Sequence, residues 1–190
     1  MSISEHENGL LPIDCDWYGA ILQHSPKWSL KIIDNALVLR GAHHSKPICI
    51  AKDSDGEFIE GLSEADVVEL FLLNPNTGFY IEFNLSPHGA WWCCTFESPR
   101  VRSVEMPNIL HGVKTNANIS QKGWDSSLLV PLKSLPSHLA FDTKTTRGNI
   151  TFCLGQPQQY FSMADLGGET PDFHRPDRWI TLAKLIGEEK

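Results

Sequence analysis

Hydrophobic and polar residues alternate strictly between Phe79 and Leu85, where four apolar residues at odd positions are separated by three polar or amphipathic ones. Successive side chains of a β-strand point to opposite faces, so this alternation predicts a strand with one buried face and one polar face. The polar face carries Tyr80, Glu82 and Asn84 in a row. A hydroxyl, a carboxyl and an amide side by side are suited to hydrogen-bonding a polar ligand.

Two further apolar runs flank this strand, at 67–73 and 90–96. The segments between them, 74–78 and 86–89, are rich in Asn, Pro, Ser and Gly, which favour turns. Short connections of this kind favour an antiparallel meander of three strands.

Short strands are predicted along most of the remaining chain, and almost no amphipathic helix longer than two turns is found. Apolar residues also recur at spacing two within 16–23. The predicted strands outside the meander cover 27–33, 36–41, 101–104, 113–119, 124–132, 148–154, 156–162 and 179–186. Ten or more short strands punctuated by turn residues predict an all-β fold, an antiparallel β-sandwich. The length of 190 residues indicates a single domain, 16–190, preceded by a polar, flexible N-terminal arm, 1–15.

Charge and composition narrow the classes of partner. The net charge is −7 and no run of Lys and Arg occurs, which argues against nucleic-acid binding because phosphate contacts need a basic patch. No stretch of 18 apolar residues predicts a membrane span. The N-terminal segment lacks the features of a secretory signal, so we expect a cytoplasmic protein. The five cysteines are an odd number and include the adjacent pair Cys93 and Cys94, which favours free thiols over disulfides.

Motifs for catalysis and metal binding are missing. The sequence contains no nucleophile elbow, no dinucleotide-binding glycine motif and no phosphate-binding loop. Glu69 and Glu82 lie on neighbouring predicted strands and are the only carboxylate pair that we nominate for glycoside hydrolysis. The alternative is that each is an ordinary solvated or hydrogen-bonded strand residue, and we prefer a protein that binds without catalysis. No metal site is predicted, because the histidines and cysteines lack ligand spacing.

Four segments together resemble a known family. They are Asp66–Leu72, the segment Tyr80–Trp91 with the sequence YIEFNLSPHGAW, Trp124 with Leu129–Leu132, and Arg147–Ile150 with Pro171–Pro176. These segments are similar to those of the DOMON-like relatives of family 9 carbohydrate-binding modules. The resemblance covers approximately residues 36–185. It implies a DOMON-like, jelly-roll-type β-sandwich, in agreement with the strand pattern.

The resemblance also implies a ligand class, because the DOMON superfamily binds sugars or haem. Family 9 modules hold a terminal sugar between two aromatic rings, with polar side chains on its hydroxyls. We therefore expect one concave face to carry the ligand-binding residues, with Trp91 or Trp92 as the stacking platform. The candidate residues are Glu82, Asn84, Trp91, Trp92, Arg147, Asn149 and His174. The alternatives are that the tryptophans pack in the core and that Arg147 and His174 tie the C-terminal loop to the sheet.

The preferred function is therefore a ligand-binding β-sandwich without catalytic activity, whose ligand is a carbohydrate or a similar polar small molecule. A haem- or metal-binding domain is an alternative, although no cofactor is predicted. Its axial ligands would come from Met106 or Met163 with His111, His138 or His174. A third reading is a scaffold that binds a protein partner through an exposed strand edge.

Overall fold

Two antiparallel sheets pack face to face in the computed structural model, which describes residues 9–50, 54–103, 110–139 and 141–189. All strand pairs within these sheets are antiparallel, which confirms the predicted β-sandwich. The strands are β1 (Leu11–Pro12), β2 (Lys27–Ile33), β3 (Ala36–His43), β4 (Val67–Leu73), β5 (Tyr80–Leu85), β6 (Trp91–Ser98), β7 (Val101–Arg102), β8 (Lys114–Ser120), β9 (Gly123–Pro131), β10 (Arg147–Leu154), β11 (Gln159–Ser162) and β12 (Ile180–Thr181).

The smaller sheet contains five strands in the order β1-β2-β3-β9-β8. Strands β2 and β3 form a hairpin through Asp34 and Asn35, whose φ angles of 49° and 58° fit the tight turn that joins twisted strands. Gly41 of β3 lies against the other sheet, since a Cβ atom there would lie 2.6 Å from Cγ1 of Val68. This glycine lets the two sheets approach closely at that point.

The larger sheet contains seven strands and carries the predicted meander at its centre. Its order is β11-β10-β4-β5-β6-β7, and β12 pairs with the first two residues of β10. The odd-numbered residues of β5 face the interior, where Ile81, Phe83 and Leu85 are fully buried. The inward face of the alternating stretch is therefore the one predicted from the sequence.

The outer face of the larger sheet is also covered. A second apolar cluster lies on it, in which Leu62, Leu166, Phe173 and Trp179 pack over the strands. Tyr80, the second residue of the alternating stretch, has no solvent exposure, and Glu82 and Asn84 are 6% and 3% exposed. The face that the sequence suggested as open is thus the floor of a second, partly polar layer.

Several boundaries differ from the predictions. A strand over 179–186 is wrong, because β12 is followed by a single helical turn, Leu182–Leu185, whose N-cap Thr181 accepts a hydrogen bond from the backbone of Lys184 (3.3 Å). Residues 16–23 form a loop with only a bridge between Cys15 and Ile21. Within the described part of the chain, no helix is long and apolar enough to cross a membrane.

The flexible N-terminal arm was predicted over residues 1–15, of which 1–8 lie outside the described residues. The remainder contacts the sandwich, because Leu11 and Pro12 pair with β2. Ile13 is 6% exposed and belongs to the interior cluster, and its backbone N–H donates to the carbonyl of Pro26 (2.9 Å). These residues are therefore part of the folded structure.

Candidate functional site

Register across the larger sheet brings polar side chains together on its outer face. Residues that pair directly across β10, β4, β5 and β6 form rows, because neighbouring strands are about 4.8 Å apart and side chains alternate in direction. One row contains Thr151, Glu69, Asn84 and Trp92. The next row contains Asn149, Phe71, Glu82 and Cys94. The two glutamates are thus diagonal neighbours at the centre of the face.

A groove crosses this face in two connected lobes. The larger lobe has a volume of about 610 Å³ and the smaller one about 250 Å³. The lobes share Ser63, Glu82, Arg100 and His174, so they form one continuous depression. The size falls in the range typical of small-molecule sites.

The two walls of the larger lobe come from different parts of the chain. One wall is the loop before β4, which contributes Glu60, Gly61, Ser63 and Glu64. The other rim residues are Arg100 in the turn before β7, Arg102, the last residue of β7, and His174 from the C-terminal loop. The floor between them consists of Glu82, Asn84, Trp92 and Phe96.

The two central carboxyl groups hold protons more tightly than usual. Burial and, to a smaller extent, the nearby charge of Glu69 raise the pKa of Glu82 to about 8. Burial also raises the pKa of Glu69 to about 7, although its Oε2 accepts a hydrogen bond from the hydroxyl of Thr151 (2.7 Å). Two adjacent carboxylates cannot both ionise cheaply in this desolvated layer. These raised pKa values favour the protonated form of Glu82 at neutral pH, in which its carboxyl group is both a donor and an acceptor.

His174 is anchored beneath the groove by a hydrogen bond between its Nδ1 and the hydroxyl of Tyr80 (2.6 Å). Its backbone N–H donates to Asp172 (3.1 Å), which also pairs with the guanidinium of Arg100 (2.8 Å). Burial lowers the pKa of His174 to about 4, and the positive charge of Arg100 contributes to this shift. Its Nε2 lies 3.6 Å from Oε2 of Glu82. With His174 neutral and Glu82 protonated, this approach is a contact between uncharged groups rather than an ion pair.

Asn84 presents a buried polar atom with no hydrogen-bond partner among the described residues. Its side chain hydrogen-bonds the carboxyl group of Glu82, whereas its Oδ1 has none. Buried acceptors without partners are rare, since each one costs about 1–3 kcal/mol. The residue lines the floor of the larger lobe, so the atom without a partner lies directly beneath the groove.

The indole of Trp92 lies at one end of the floor. The guanidinium of Arg102 is 5.1 Å from its ring centroid, and the same guanidinium pairs with Glu60 (2.6 Å). The side chains of Arg102 and Glu60 are 50% and 61% exposed, and exposed ion pairs contribute only about 0–1 kcal/mol. Arg102 can therefore leave the ring at little cost.

The structure brings four of the seven predicted site residues together. Glu82, Asn84, Trp92 and His174 line the groove. Trp91 does not, because it points into the interior, where it is 4% exposed and packs edge-on against Phe58 (4.9 Å between ring centroids). Trp91 therefore cannot act as the stacking platform.

The other two predicted residues have different positions. Asn149 is fully buried, where it donates to the hydroxyl of Ser162 (2.8 Å) and accepts from the backbone of Ala164 (2.9 Å). It ties the segment after β11 to the sheet. Arg147 is exposed at the start of β10 and does not line either lobe. The expectation that all the candidate residues line one concave face is thus wrong for Trp91, Asn149 and Arg147.

Arg100, Arg102 and the loop before β4 line the groove but were not predicted as site residues from the sequence. Arg100 and Arg102 are separated by one residue, a spacing that would place both side chains on the same side of an extended segment. Arg100, however, lies in the turn before β7 with a φ of 64°, so this spacing could not have located the pair. The loop at 60–64 has no comparable signal, because its position over the sheet depends on packing of Leu62 against the outer face.

The candidate haem ligands are scattered over the chain. His111 is exposed, His138 packs against Phe79 (5.1 Å between ring centroids), and Met163 contacts the interior cluster. Met106 lies outside the described residues. No group of three or more His, Cys, Asp or Glu side chains suited to a metal ion occurs among the described residues.

Comparison with known proteins supports the fold. No family model matches the sequence, and no curated protein matches it. A candidate carbohydrate-binding protein from Bacteroides uniformis is similar in structure, with a TM-score of 0.67, 18% identity and coverage of 93% of this chain and 86% of that chain.

A family 9 carbohydrate-binding module from Caldicellulosiruptor kristjanssonii is also similar. Its complex with glucose gives a TM-score of 0.52 and 12% identity over 88% of this chain and 80% of that one. Its complex with cellotriose gives a TM-score of 0.50 and 13% identity over 87% of this chain and 79% of that chain. The chain therefore has the β-sandwich fold of family 9 modules.

Proposed function

We propose that this protein binds a carbohydrate in the groove on the outer face of its larger sheet, without catalysing a reaction. The observation that carries the proposal is the floor of the groove, where Glu82, Asn84 and Trp92 lie beside one another on adjacent strands. A sugar needs an apolar surface for its ring and hydrogen-bonding partners for its hydroxyls. The floor supplies the hydrogen-bonding partners directly, and it supplies the apolar surface when Arg102 moves off the indole of Trp92, which is 5% exposed while Arg102 covers it.

The groove is lined by several polar groups that can donate or accept hydrogen bonds. Protonated Glu82 offers a donor and an acceptor, and Asn84 Oδ1 is an acceptor that the described protein atoms leave without a hydrogen bond. Arg100 and Arg102 add donors at the rim. A ligand with several hydroxyl groups satisfies these atoms, whereas an apolar ligand would leave them unpaired at a cost of about 1–3 kcal/mol each.

The fold supports the same proposal. The similar structures include a module whose complexes contain glucose and cellotriose. A shared fold does not determine a shared ligand, so the proposal depends on the groove of this chain. We also propose that the chain belongs to the DOMON-like branch, on the basis of the sequence segments 80–91 and 171–176.

Tryptophan fluorescence tests the proposal. We expect a saturable change when the protein is titrated with one or more of glucose, galactose, mannose, xylose and cellobiose at up to millimolar concentrations. Trp92→Phe should abolish this change, because Trp92 is the groove tryptophan at which we place the sugar. Trp28→Phe is the matched control, because Trp28 is 3% exposed and belongs to the interior cluster. Its variant should retain the response, and a flat response of the unmodified protein to every sugar would contradict carbohydrate binding.

A further inference from the structure

The hydrogen bonds around Tyr80 favour one of the two neutral tautomers of His174. The backbone N–H of Arg100 donates to the hydroxyl oxygen of Tyr80 (3.1 Å). The same hydroxyl lies 2.6 Å from Nδ1 of His174. A backbone N–H can only donate, so the oxygen of Tyr80 is the acceptor in the first contact. Its own hydrogen is then free to be donated to Nδ1.

A neutral imidazole has one N–H and one acceptor nitrogen. If Nδ1 accepts from Tyr80, the proton of His174 resides on Nε2. This nitrogen faces Oε2 of Glu82 at 3.6 Å, which exceeds hydrogen-bonding distance. The N–H is thus held at the groove without a short bond to that carboxyl group, and it is available to a ligand oxygen that approaches from the groove.

A hydrogen-bond donor and an acceptor then flank one carboxyl group. Asn84 hydrogen-bonds Glu82 from β5 itself, and its Oδ1 lacks a partner among the described residues. His174 approaches Glu82 from the C-terminal loop. Two neighbouring hydroxyls on a sugar ring offer the complementary pair, since one can donate to Asn84 and the other can accept from His174.

We propose that Tyr80 is a positioning residue that fixes His174 as its Nε2–H tautomer, so that His174 and Asn84 together bind two neighbouring hydroxyl groups of a neutral sugar. The ligand part of this inference rests on the proposed function, whereas the tautomer does not. A neutral sugar needs no cationic partner, and the rim arginines are already paired, Arg100 with Asp172 and Arg102 with Glu60.

The tautomer is measured by NMR on protein labelled with ¹⁵N in histidine, without any sugar. We expect the signals of His174 to show an unprotonated Nδ1 and a protonated Nε2 throughout pH 5.5–8. Tyr80→Phe keeps the ring that stacks on Phe96 (4.7 Å between centroids) but removes the hydroxyl, so the Nδ1–H form should become populated. A protonated Nδ1 in the unmodified protein, or unchanged signals in Tyr80→Phe, would overturn the assignment.

Tyr160→Phe is the matched control for this measurement. The hydroxyl of Tyr160 donates to Gln158 (3.1 Å) in the smaller lobe and has no bond to His174. Its removal should leave the signals of His174 unchanged, which separates loss of the Tyr80 contact from a general effect of removing a tyrosine hydroxyl near the groove. A Tyr160→Phe protein that loses the tautomer as Tyr80→Phe does would contradict the specific role of Tyr80.

The ligand part is tested by calorimetric titration with D-glucose and its 2-, 3-, 4- and 6-deoxy analogues, because glucose is present in a complex of a structurally similar module. We expect two adjacent deoxy positions to lower affinity about 10-fold or more, and Tyr80→Phe to weaken glucose binding by a similar factor. Glucose binding without sensitivity at two adjacent positions would overturn the inference and leave the proposed function intact. No glucose binding would overturn the ligand part, and the full sugar panel then decides the proposed function separately.

Discussion

Replacing His174 with alanine is expected to destabilise the protein by about 2–4 kcal/mol and to abolish ligand binding in the groove. The imidazole packs edge-on against Phe71 and Phe96, with ring centroids 5.4 and 5.1 Å away. Its loss creates a cavity between these rings. It also leaves the buried hydroxyl of Tyr80 without its partner at Nδ1. Both effects loosen the C-terminal loop, which forms one wall of the groove.

Urea unfolding of the variant measures this loss directly. His111→Ala is the matched control, because His111 is exposed and surface substitutions usually change stability by less than about 0.5 kcal/mol. The same two proteins are then titrated with the sugar that gives the strongest fluorescence change. A His174→Ala protein as stable as the control would show that the C-terminal loop does not depend on this contact.

Stability is expected to fall as the pH rises from 6.5 to 8. The folded-state pKa of Glu82 is raised by burial to about 8, and that of Glu69 to about 7. Each raised carboxyl contributes stability that is fully present below the unfolded-state pKa near 4.5 and is lost as the pH passes the folded-state pKa. One such group changes the free energy of unfolding by at most about 1.4 kcal/mol per pH unit.

The choice of pH range separates the glutamates from other groups on this face. His174 has a lowered pKa of about 4, so its contribution to stability is lost as the pH falls below about 6.5. Burial raises the pKa of Cys94 to about 11, which affects stability only in alkaline solution. Between pH 6.5 and 8 the two glutamates therefore dominate the change at this site.

Glu82→Gln tests this account, because it removes one titrating group and retains a side chain of similar shape. Unfolding by urea at several pH values should show a shallower decline in the variant than in the unmodified protein. Glu97→Gln is the matched control, since Glu97 is exposed at the end of β6. Equal slopes in all three proteins would contradict a protonated Glu82 at neutral pH.

Much of the sandwich could be predicted from local patterns. The alternation at 79–85 identified β5 and its inward face, because burial of one face leaves a period of two in the sequence. The turns at 74–78 and 86–89 placed β4 and β6 beside it. The last strand failed because Thr181 caps a helical turn, and this local capping contact competes with extension of β12.

The covering of the outer face could not be predicted from local patterns. Polar residues at alternate positions usually indicate a solvated surface, and nothing around Glu82 indicates that Phe173 and Trp179, about 90 residues later, pack over this face. The orientation of the adjacent residues Trp91 and Trp92 could not be predicted from local patterns either. One of two neighbours on a strand must face inward, and only the register between β5 and β6, which pairs Asn84 with Trp92, decides which one.

The measurement that tests the central claim most directly is a ¹H–¹⁵N correlation NMR titration with the sugar panel, because it reports both binding and its location. We predict saturable shifts for the backbone of Glu82, Asn84 and Arg100 and for the indole N–H of Trp92. Signals from the opposite sheet, such as those of Lys114–Ser120 in β8, should remain unchanged. Shifts confined to residues away from the groove, or no shifts with any sugar, would contradict a carbohydrate site on this face.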